Sequence, residues 1–261
     1  MFFIIFFGFG LIVGSFLNAV IYRLHSGESF MQGRSHCVHC NHELSALDLV
    51  PLFSYAFLRG RCRYCGKKIS WQYPAVELIT GLVFGLLVLP AAGTLDSFLL
   101  FQLIFSAIFI VVAVFDLRHY LILDKVVFPA LGLAIAFDLF MDFQGRCGWS
   151  VHCHTLGGLL AAALISGFFL VQYALSRGRW IGFGDVKLGL RLGFVLGYPL
   201  GLLGLFAGYL LGAVAGIGLI LAGQKHMSSR LPFGTFLCFS AILIMLYGQP
   251  ILDWYLGLLG F

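Results

Sequence analysis

Long apolar runs follow one another along this chain, separated by short polar segments. A transmembrane helix needs about 20 apolar residues to cross a hydrocarbon core about 30 Å thick. Seven runs have this character, at residues 2–22, 75–92, 97–115, 126–143, 155–175, 199–222 and 231–252. An eighth, shorter stretch at 186–198 contains Lys187 and Arg191. The pattern predicts an all-α polytopic membrane protein with about eight transmembrane helices.

The composition supports this class and excludes several others. Of the 261 residues, 61% are hydrophobic and only 10% are charged, with a mean hydropathy of +0.99. An average soluble domain carries about 25% charged residues, so this chain cannot cover a water-facing surface. We therefore exclude an ordinary soluble fold, disorder and fibrous repeats. The net charge of +5 is not gathered into one basic patch, so we expect a lipid bilayer and no nucleic acid as partner.

The positions of the basic residues predict the topology, because Lys and Arg accumulate in cytoplasmic loops. With eight spans, fifteen of the sixteen Lys and Arg residues lie at one face and only Arg146 lies at the other. We expect both termini outside and the long basic segment 23–74 in the cytoplasm. Arg23 follows the first apolar run instead of preceding it, so this run is predicted to be a retained helix and not a cleaved signal peptide.

The cytoplasmic segment contains two Cys-x-x-Cys pairs, separated by 21 residues. Tetrahedral zinc is bound by two such knuckles, each presenting two thiolates at about 2.3 Å from the ion. The ligands are predicted to be Cys37, Cys40, Cys62 and Cys65. A closed four-cysteine site has no position for a substrate, so the metal would be structural. We divide the chain into a first span (1–22), this metal-binding segment (23–74) and a membrane domain (75–261).

Other interpretations of the cysteines remain open. Two disulfides would use the same four residues, but a reducing cytoplasm argues against them. Four thiolates alone do not distinguish zinc from iron. Cys147 and Cys153 lie in an outer loop, where they would pair if that compartment is oxidising.

Two aspartates, Asp116 and Asp185, lie at the membrane edge. Ionisable groups in or at the membrane are costly and are candidates for function. The topology places both at the cytoplasmic face, and the glycines at 182 and 184 allow close approach of a neighbouring helix. Two carboxyls in a poorly solvated site share a proton, so that one acts as base on water and the other as acid toward a carbonyl oxygen. This arrangement predicts an aspartyl protease.

Two alternatives to a carboxylate pair follow from the same residues. Each aspartate could be an interfacial residue paired with Arg118 or Lys187. A transporter or ion pathway with a zinc-bound cytoplasmic regulatory module would also contain intramembrane aspartates and glycine-rich helices. However, such a pathway is expected to place its carboxylates near the midplane and not at the cytoplasmic edge.

Several motifs in register resemble the bacterial type IV prepilin peptidases. They are Gly14-Ser-Phe-Leu-Asn18 with Arg23-Leu24, the two cysteine knuckles, Tyr73-Pro-Ala-Val-Glu77, Asp116 with Ile-Leu-Asp124, and Gly182-Phe-Gly-Asp185-Val-Lys187. The resemblance covers about residues 10–190. Leu123 and His25 stand where the family often has proline, and neither position carries the chemistry.

The resemblance implies a bifunctional enzyme of the bacterial inner or cytoplasmic membrane. Such an enzyme removes the short basic leader of type IV prepilins or pseudopilins on the cytoplasmic side after a glycine. Many members then methylate the new N-terminal residue with S-adenosylmethionine. Asp116 and Asp185 match the two catalytic aspartates, which belong to the GxGD group of intramembrane proteases. The four-cysteine segment is associated with methylation, but no residue that binds S-adenosylmethionine is identified.

Overall fold

The computed structural model describes residues 1–29, 33–90, 94–145, 153–224, 226 and 231–258. In this part of the chain there are nine α-helices, one short 3-10 turn and no strand beyond two isolated bridges. The helices are α1 (Phe2–Ser26), α2 (Phe53–Phe57), α3 (Gln72–Leu87), α4 (Ser97–His119), α5 (Asp124–Gly145), α6 (His154–Ser176), α7 (Phe183–Leu196), α8 (Leu200–Leu221) and α9 (Phe233–Leu258). The 3-10 turn is Ala46–Leu49.

Among the described residues, six helices are long and apolar enough to cross a membrane, namely α1, α4, α5, α6, α8 and α9. α3 and α7 are shorter, with 16 and 14 residues. Gly197 ends α7 with a φ of 67°, a left-handed conformation that favours glycine. The eight helices lie where the eight apolar runs predicted them. The all-α polytopic membrane class is therefore confirmed, with two helices shorter than a full span.

The chain divides into two compact units, Met1–Val111 and Val112–Phe261. In the first unit α1 packs closely on α3, because both helices present glycines at the contact. A Cβ at Gly14 would lie 2.7 Å from the Cα of Glu77, and one at Gly81 would lie 2.9 Å from a side-chain methyl of Leu11. Small residues at an interface let two membrane helices approach closely.

Polar side chains connect α1 and α3 by hydrogen bonds near the start of α3. The Asn18 amide donates to the Tyr73 carbonyl at 3.0 Å and accepts a hydrogen bond from Gln72 at 3.3 Å. The buried Glu77 carboxylate accepts the Leu52 N–H at 2.9 Å, which ties the segment before α2 to α3. Asn18 and Glu77, both of which belong to the motifs noted above, therefore have structural partners here.

In the second unit α6 packs on α7 and α8 packs on α9. A Cβ at Gly193 would overlap the backbone of Ala162, so α6 and α7 are in direct backbone contact. The Ser240 hydroxyl of α9 donates to the Gly204 carbonyl of α8 at 2.8 Å. The last turns of α4 also belong to this unit.

The start of α6 is capped by an acidic side chain from α5. Asp142 accepts the N–H groups of His154 and Thr155 at 2.8 and 2.9 Å. A carboxylate at this position satisfies free N–H groups at the helix N-terminus. Cys147 lies outside the described residues, so its pairing with Cys153 stays a prediction.

Candidate active site and candidate metal centre

Asp116 lies in the last turn of α4 and is buried, with 5% of its surface exposed. Its Oδ2 accepts the Thr235 N–H at 2.8 Å and lies 3.2 Å from the Thr235 hydroxyl. The same hydroxyl lies 3.0 Å from the Ala113 carbonyl. Because Thr235 is in the first turn of α9, the Asp116 carboxyl faces the free N–H groups of that helix. These contacts fix the orientation of the carboxyl.

Asp185 lies in the first turn of α7 and turns back toward the loop before it. Its Oδ2 accepts the Gly182 N–H at 3.2 Å, while its own N–H donates to the Gly182 carbonyl at 3.1 Å. This pair of hydrogen bonds defines a tight helix start. A Cβ at residue 182 would lie 3.7 Å from the Asp185 Oδ2, which is an ordinary contact, so this hydrogen bond does not itself require glycine.

The two aspartates face the same small region of the second unit. Gly184, the neighbour of Asp185, lies against the Ile122 side chain, and Gly234 lies next to both Ile122 Cδ1 and the Asp116 Oδ2. Two aspartates that are 69 residues apart in the chain therefore lie near one side chain, while their pairing at one site stays a prediction. Their catalytic roles stay a prediction.

Ile122 fills the space beside this carboxylate pair. It lies in the short connection between α4 and α5. A Cβ at Gly184 would lie 3.1 Å from the Ile122 Cβ, and one at Gly234 would lie 3.0 Å from both the Ile122 Cδ1 and the Asp116 Oδ2. Glycines at 184 and 234 therefore leave room for the Ile122 side chain next to the acidic groups.

Lys187 does not pair with either aspartate of the site. Its Nζ lies 2.6 and 2.8 Å from the two oxygens of Asp124 and also lies over the rings of Phe128 and Phe183, at 5.4 and 5.3 Å. The ion pair connects the start of α5 to the start of α7. Lys187 therefore forms its ion pair with Asp124, and the alternative in which it pairs with Asp185 is not supported.

A completely buried arginine lies two helical turns beyond Asp185. Arg191 on α7 contacts the thiol of Cys238 on α9, and both side chains are fully buried. The charge count assigned Arg191 to the cytoplasmic surface, but α7 places it inside the helix bundle. A buried cation is costly unless it has polar or charged surroundings, and the Cys238 thiol is one group that interacts with it here.

The four cysteines of the first unit come together in one cluster. Their four sulfur atoms all lie within 4.8 Å of one another, and the Cys37 and Cys65 sulfurs are 3.9 Å apart. Sulfurs about 2.3 Å from a tetrahedral ion would be about 3.8 Å apart. The cluster therefore fits a tetrathiolate metal ion, as the spacing predicted.

Two copies of one backbone turn build this cluster. In the first copy the Cys37 N–H donates to His42, the Asn41 N–H to Cys37 and the Leu44 N–H to Ser35. The second copy repeats all three bonds 25 residues later, with Cys62 to Lys67, Gly66 to Cys62 and Ile69 to Gly60. Asn41 and Gly66 occupy the same left-handed position, with φ of 54° and 68°. Each knuckle is thus a complete local structure.

The backbone also prepares a sulfur for metal binding. Burial by itself raises the pKa of the Cys37 thiol, but hydrogen bonds from the backbone N–H groups of His39 and Cys40 and from the Cys62 and Cys40 side chains outweigh it and lower the pKa to about 7, while the neighbouring thiols help to raise the pKa of Cys65 to about 11. A metal ligand must be the thiolate.

Asp48 joins the 3-10 turn to the second knuckle. Its carboxylate accepts hydrogen bonds from Arg63 Nε at 2.7 Å, Tyr64 Oη at 3.0 Å and both the N–H and hydroxyl of Ser45, at 3.0 and 2.8 Å. Although partial burial acts the other way, these bonds lower the pKa of Asp48. The side chain is only 4% exposed.

An open cavity of about 580 Å³ lies beside the first knuckle. Its lining consists of Arg34, Asn41, His42, Glu43, Leu44, Ser45 and Tyr64. The rings of His42 and Tyr64 are 3.7 Å apart between centroids and form one wall. The cavity is widely open at the surface of the segment, so its volume alone does not make it a cofactor site.

Three residues of the candidate active site, Ile122, Gly234 and Thr235, were not identified from the sequence. One signal was available for the last two, because Pro232 precedes Phe233-Gly234-Thr235 and proline is typical of a helix start. Nothing in the local sequence indicates that the α9 N-terminus meets Asp116, which is 119 residues away.

Fold and site together define a polytopic membrane protein with a carboxylate pair at the ends of two helices and a four-cysteine metal centre. Comparison with known proteins agrees with this class. The Type IV leader peptidase family matches residues 103–217, and the Bacterial Peptidase A24 N-terminal domain matches residues 9–91.

Curated relatives match nearly the whole chain. A protein of Aeromonas hydrophila is 33% identical over 98% of this chain and 94% of its own length, and one of Bacillus subtilis (strain 168) is 33% identical over 97% of both. A protein of Myxococcus xanthus (strain DK1622) is 34% identical over 85% of this chain and 64% of its own length. All three are named prepilin leader peptidase/N-methyltransferase. No solved structure matches significantly.

The chain belongs to the type IV leader peptidase family of bacterial membrane proteins. This membership confirms the resemblance found in the sequence motifs. The transporter alternative is not favoured, because both the N-terminal and the C-terminal halves match peptidase domains.

Proposed function

We propose that this chain is a membrane aspartyl endopeptidase that removes the short basic leader of type IV prepilins or pseudopilins after a glycine. The observation that carries the proposal is that the Asp116 carboxyl and Gly184, the neighbour of Asp185, lie around the same side chain, Ile122, in the second unit. Membership of the leader peptidase family supports the substrate class.

The two carboxyls supply the chemistry of peptide hydrolysis without a further nucleophile. Like charges this close do not both ionise easily in a poorly solvated site, so the pair holds one proton between them. One carboxylate takes a proton from water, whose oxygen bonds to the scissile carbonyl carbon. The other carboxyl donates its proton to the carbonyl oxygen. The first carboxyl then gives the proton that it took from water to the amide nitrogen, the C–N bond breaks, and one hydroxyl of the tetrahedral carbon returns its proton to the second carboxyl.

Thr235 is the positioning residue for this pair. Its N–H and hydroxyl hold the Asp116 carboxyl against the start of α9. General acid and base groups must lie within hydrogen-bond reach of the proton that they move, so a fixed carboxyl orientation favours the reaction.

The peptidase proposal is tested with the purified protein in lipid or detergent and a type IV prepilin as substrate. Asp116→Asn and Asp185→Asn are each expected to lower the rate of leader removal by about 1,000-fold or more, because neither amide can exchange the catalytic proton. The matched control is Asp253→Asn, an exposed aspartate on α9 that is hydrogen-bonded by Gln249. Wild-type cleavage rates in both site variants would contradict the proposal.

The second proposed activity is methylation of the newly exposed N-terminal residue with S-adenosylmethionine as methyl donor. It is supported by the names of the relatives, which join peptidase and N-methyltransferase. We assign it to segment 23–74, which contains the cysteine cluster and the cavity beside His42 and Tyr64. Mass spectrometry of the processed pilin tests this activity, since one methyl group adds about 14 Da.

The cysteine cluster is proposed to bind structural zinc through Cys37, Cys40, Cys62 and Cys65. The closed set of four sulfurs would cross-link the two knuckles and stabilise a segment with a small apolar core. Metal analysis of the purified protein tests this, with one zinc per chain expected.

The orientation of the protein follows from the same proposal. The catalytic face and segment 23–74 lie in the cytoplasm, and both termini lie outside, in accordance with the distribution of Lys and Arg. Residues 1–22 would then be the first span and 75–261 the membrane domain that carries the peptidase. Cysteine labelling at the two termini tests the orientation.

A further inference from the structure

Ile122, the side chain beside the carboxylate pair, has a position that affects which substrate residue can lie before the scissile bond. Ile122 lies outside regular helix, in the connection between α4 and α5, and it is half-buried. Its side chain lies against Gly184, the neighbour of Asp185, and its Cδ1 lies beside Gly234, the same glycine that the Asp116 Oδ2 approaches. A branched apolar group therefore lies beside both catalytic candidates.

The packing around Ile122 is tight. A methyl group added at Gly184 would lie 3.1, 3.4 and 3.5 Å from three carbons of Ile122, and one at Gly234 would lie 3.0 Å from its Cδ1. Such contacts between carbons are mostly shorter than the optimum of about 3.5–4.0 Å. The two glycines thus form the walls on which Ile122 rests, and the side chain has little space to retreat toward α7 or α9.

A substrate must bring its scissile carbonyl within hydrogen-bond reach of both carboxyls. The Cα atoms on either side of that carbonyl then lie next to the groups that flank the pair. A glycine of the substrate can lie next to Ile122 when its carbonyl is within hydrogen-bond reach of the carboxyls. A larger substrate residue would direct its Cβ into the space that the Ile122 side chain occupies.

From this geometry we infer that Ile122 is a specificity-determining residue, which excludes side chains at the substrate position before the scissile bond and so selects glycine there. This inference rests on the proposed peptidase function. It assigns the selection to one residue of the α4–α5 connection and not to the aspartates themselves.

The experiment compares two substrates that differ in one residue, a prepilin with its natural glycine before the cleavage site and the same prepilin with alanine there. The rate ratio of glycine to alanine substrate is measured for wild type, Ile122→Val and Ile122→Ala. One methylene in a binding site changes discrimination by about 10- to 200-fold. We expect the ratio to fall at least tenfold in Ile122→Ala and by a smaller factor in Ile122→Val.

The adjacent Leu121 supplies the matched control, because it is 60% exposed on the same connection. Leu121→Ala is expected to keep the wild-type ratio. An unchanged ratio in both Ile122 variants, or an equal loss of rate on both substrates, would overturn the inference. The Val variant retains β-branching, so it remains informative if the Ala variant does not fold. Failure of wild type to cleave the glycine substrate would contradict the proposed function instead.

Discussion

The cysteine cluster and the carboxylate pair are built in opposite ways. Each cysteine knuckle closes on itself through three backbone hydrogen bonds within ten residues, and the second knuckle repeats the first. The carboxylate site collects groups from α4, α7 and α9, and Thr235 lies 119 residues from the Asp116 that it holds. Each knuckle of the candidate metal centre is therefore a local structure, whereas the candidate active site exists only when the helices of the second unit are packed.

The largest expected effect is the loss of metal and methylation on removal of two cysteines, and it distinguishes the cysteine cluster from the carboxylate pair. Cys37→Ser combined with Cys40→Ser should release the metal completely and abolish methylation, because two of four ligands are lost. Leader removal should stay within about twofold of wild type, since the carboxylate pair uses no residue of this segment. Metal content and the mass of the processed pilin measure both.

The control for the metal experiment is His39→Ala. His39 lies between the two cysteines of the first knuckle but is not in the four-sulfur cluster. Its variant should retain one metal per chain. Loss of metal from His39→Ala, or retention by the double serine variant, would show that the ligand set is wrong.

Gly234→Ala tests how closely the active site is packed. The new Cβ would lie 3.0 Å from the Asp116 Oδ2 and from the Ile122 Cδ1, so the carboxyl must move. A small displacement of a catalytic group can lower the rate about 100-fold, and we expect a loss of this size in leader removal.

A glycine in open space provides the comparison for Gly234→Ala. A Cβ added at Gly167 on α6 would have no atom of the described residues within 4 Å, apart from the nearby backbone of α6 itself. Gly167→Ala should therefore cleave at the wild-type rate. Equal rates in the two variants would mean that Asp116 does not require its present position.

Thr235→Val should have a smaller effect. It removes the hydroxyl that lies 3.2 Å from Asp116 but keeps the N–H that donates at 2.8 Å. A hydrogen bond to a charged group contributes about 1.5–3 kcal/mol, so a loss of about tenfold or more in kcat is expected, with little change in KM. Thr235→Ser should restore the rate. If Thr235→Ser did not restore the rate, the loss in Thr235→Val would come from changed packing and not from the missing hydroxyl.

The smallest effect is expected from the exposed ion pair. Asp124 is 55% exposed, and pairs of this kind contribute only about 0.2–1 kcal/mol. Asp124→Asn should therefore lower leader removal by less than about fivefold. A loss comparable with that of Asp185→Asn would show that Asp124 belongs to the catalytic pair and would contradict the present assignment.

The same contrast explains how much could be predicted from the sequence. The clustering of all four cysteines was predicted because the Cys-x-x-Cys spacing itself encodes the turn. The eight helices were predicted from apolar length. The common membrane face of Asp116 and Asp185, expected from the charge distribution, stays a prediction.

The rest depends on distant packing. Thr235 acts through a backbone N–H, which carries no sequence signal, and Ile122 is an ordinary apolar residue until Gly184 and Gly234 surround it. Arg191 was counted with the basic residues of the cytoplasmic face and within the eighth apolar stretch, and the packing of α7 buries it beside Cys238.

The most direct test of the central claim is the intact mass of a type IV prepilin co-expressed with wild type, Asp185→Asn or the Cys37→Ser, Cys40→Ser variant. We predict a shortened and methylated pilin with wild type, a full-length prepilin with Asp185→Asn, and a shortened but unmethylated pilin with the cysteine variant. A shortened pilin produced by Asp185→Asn would contradict the assignment of peptidase activity to the carboxylate pair.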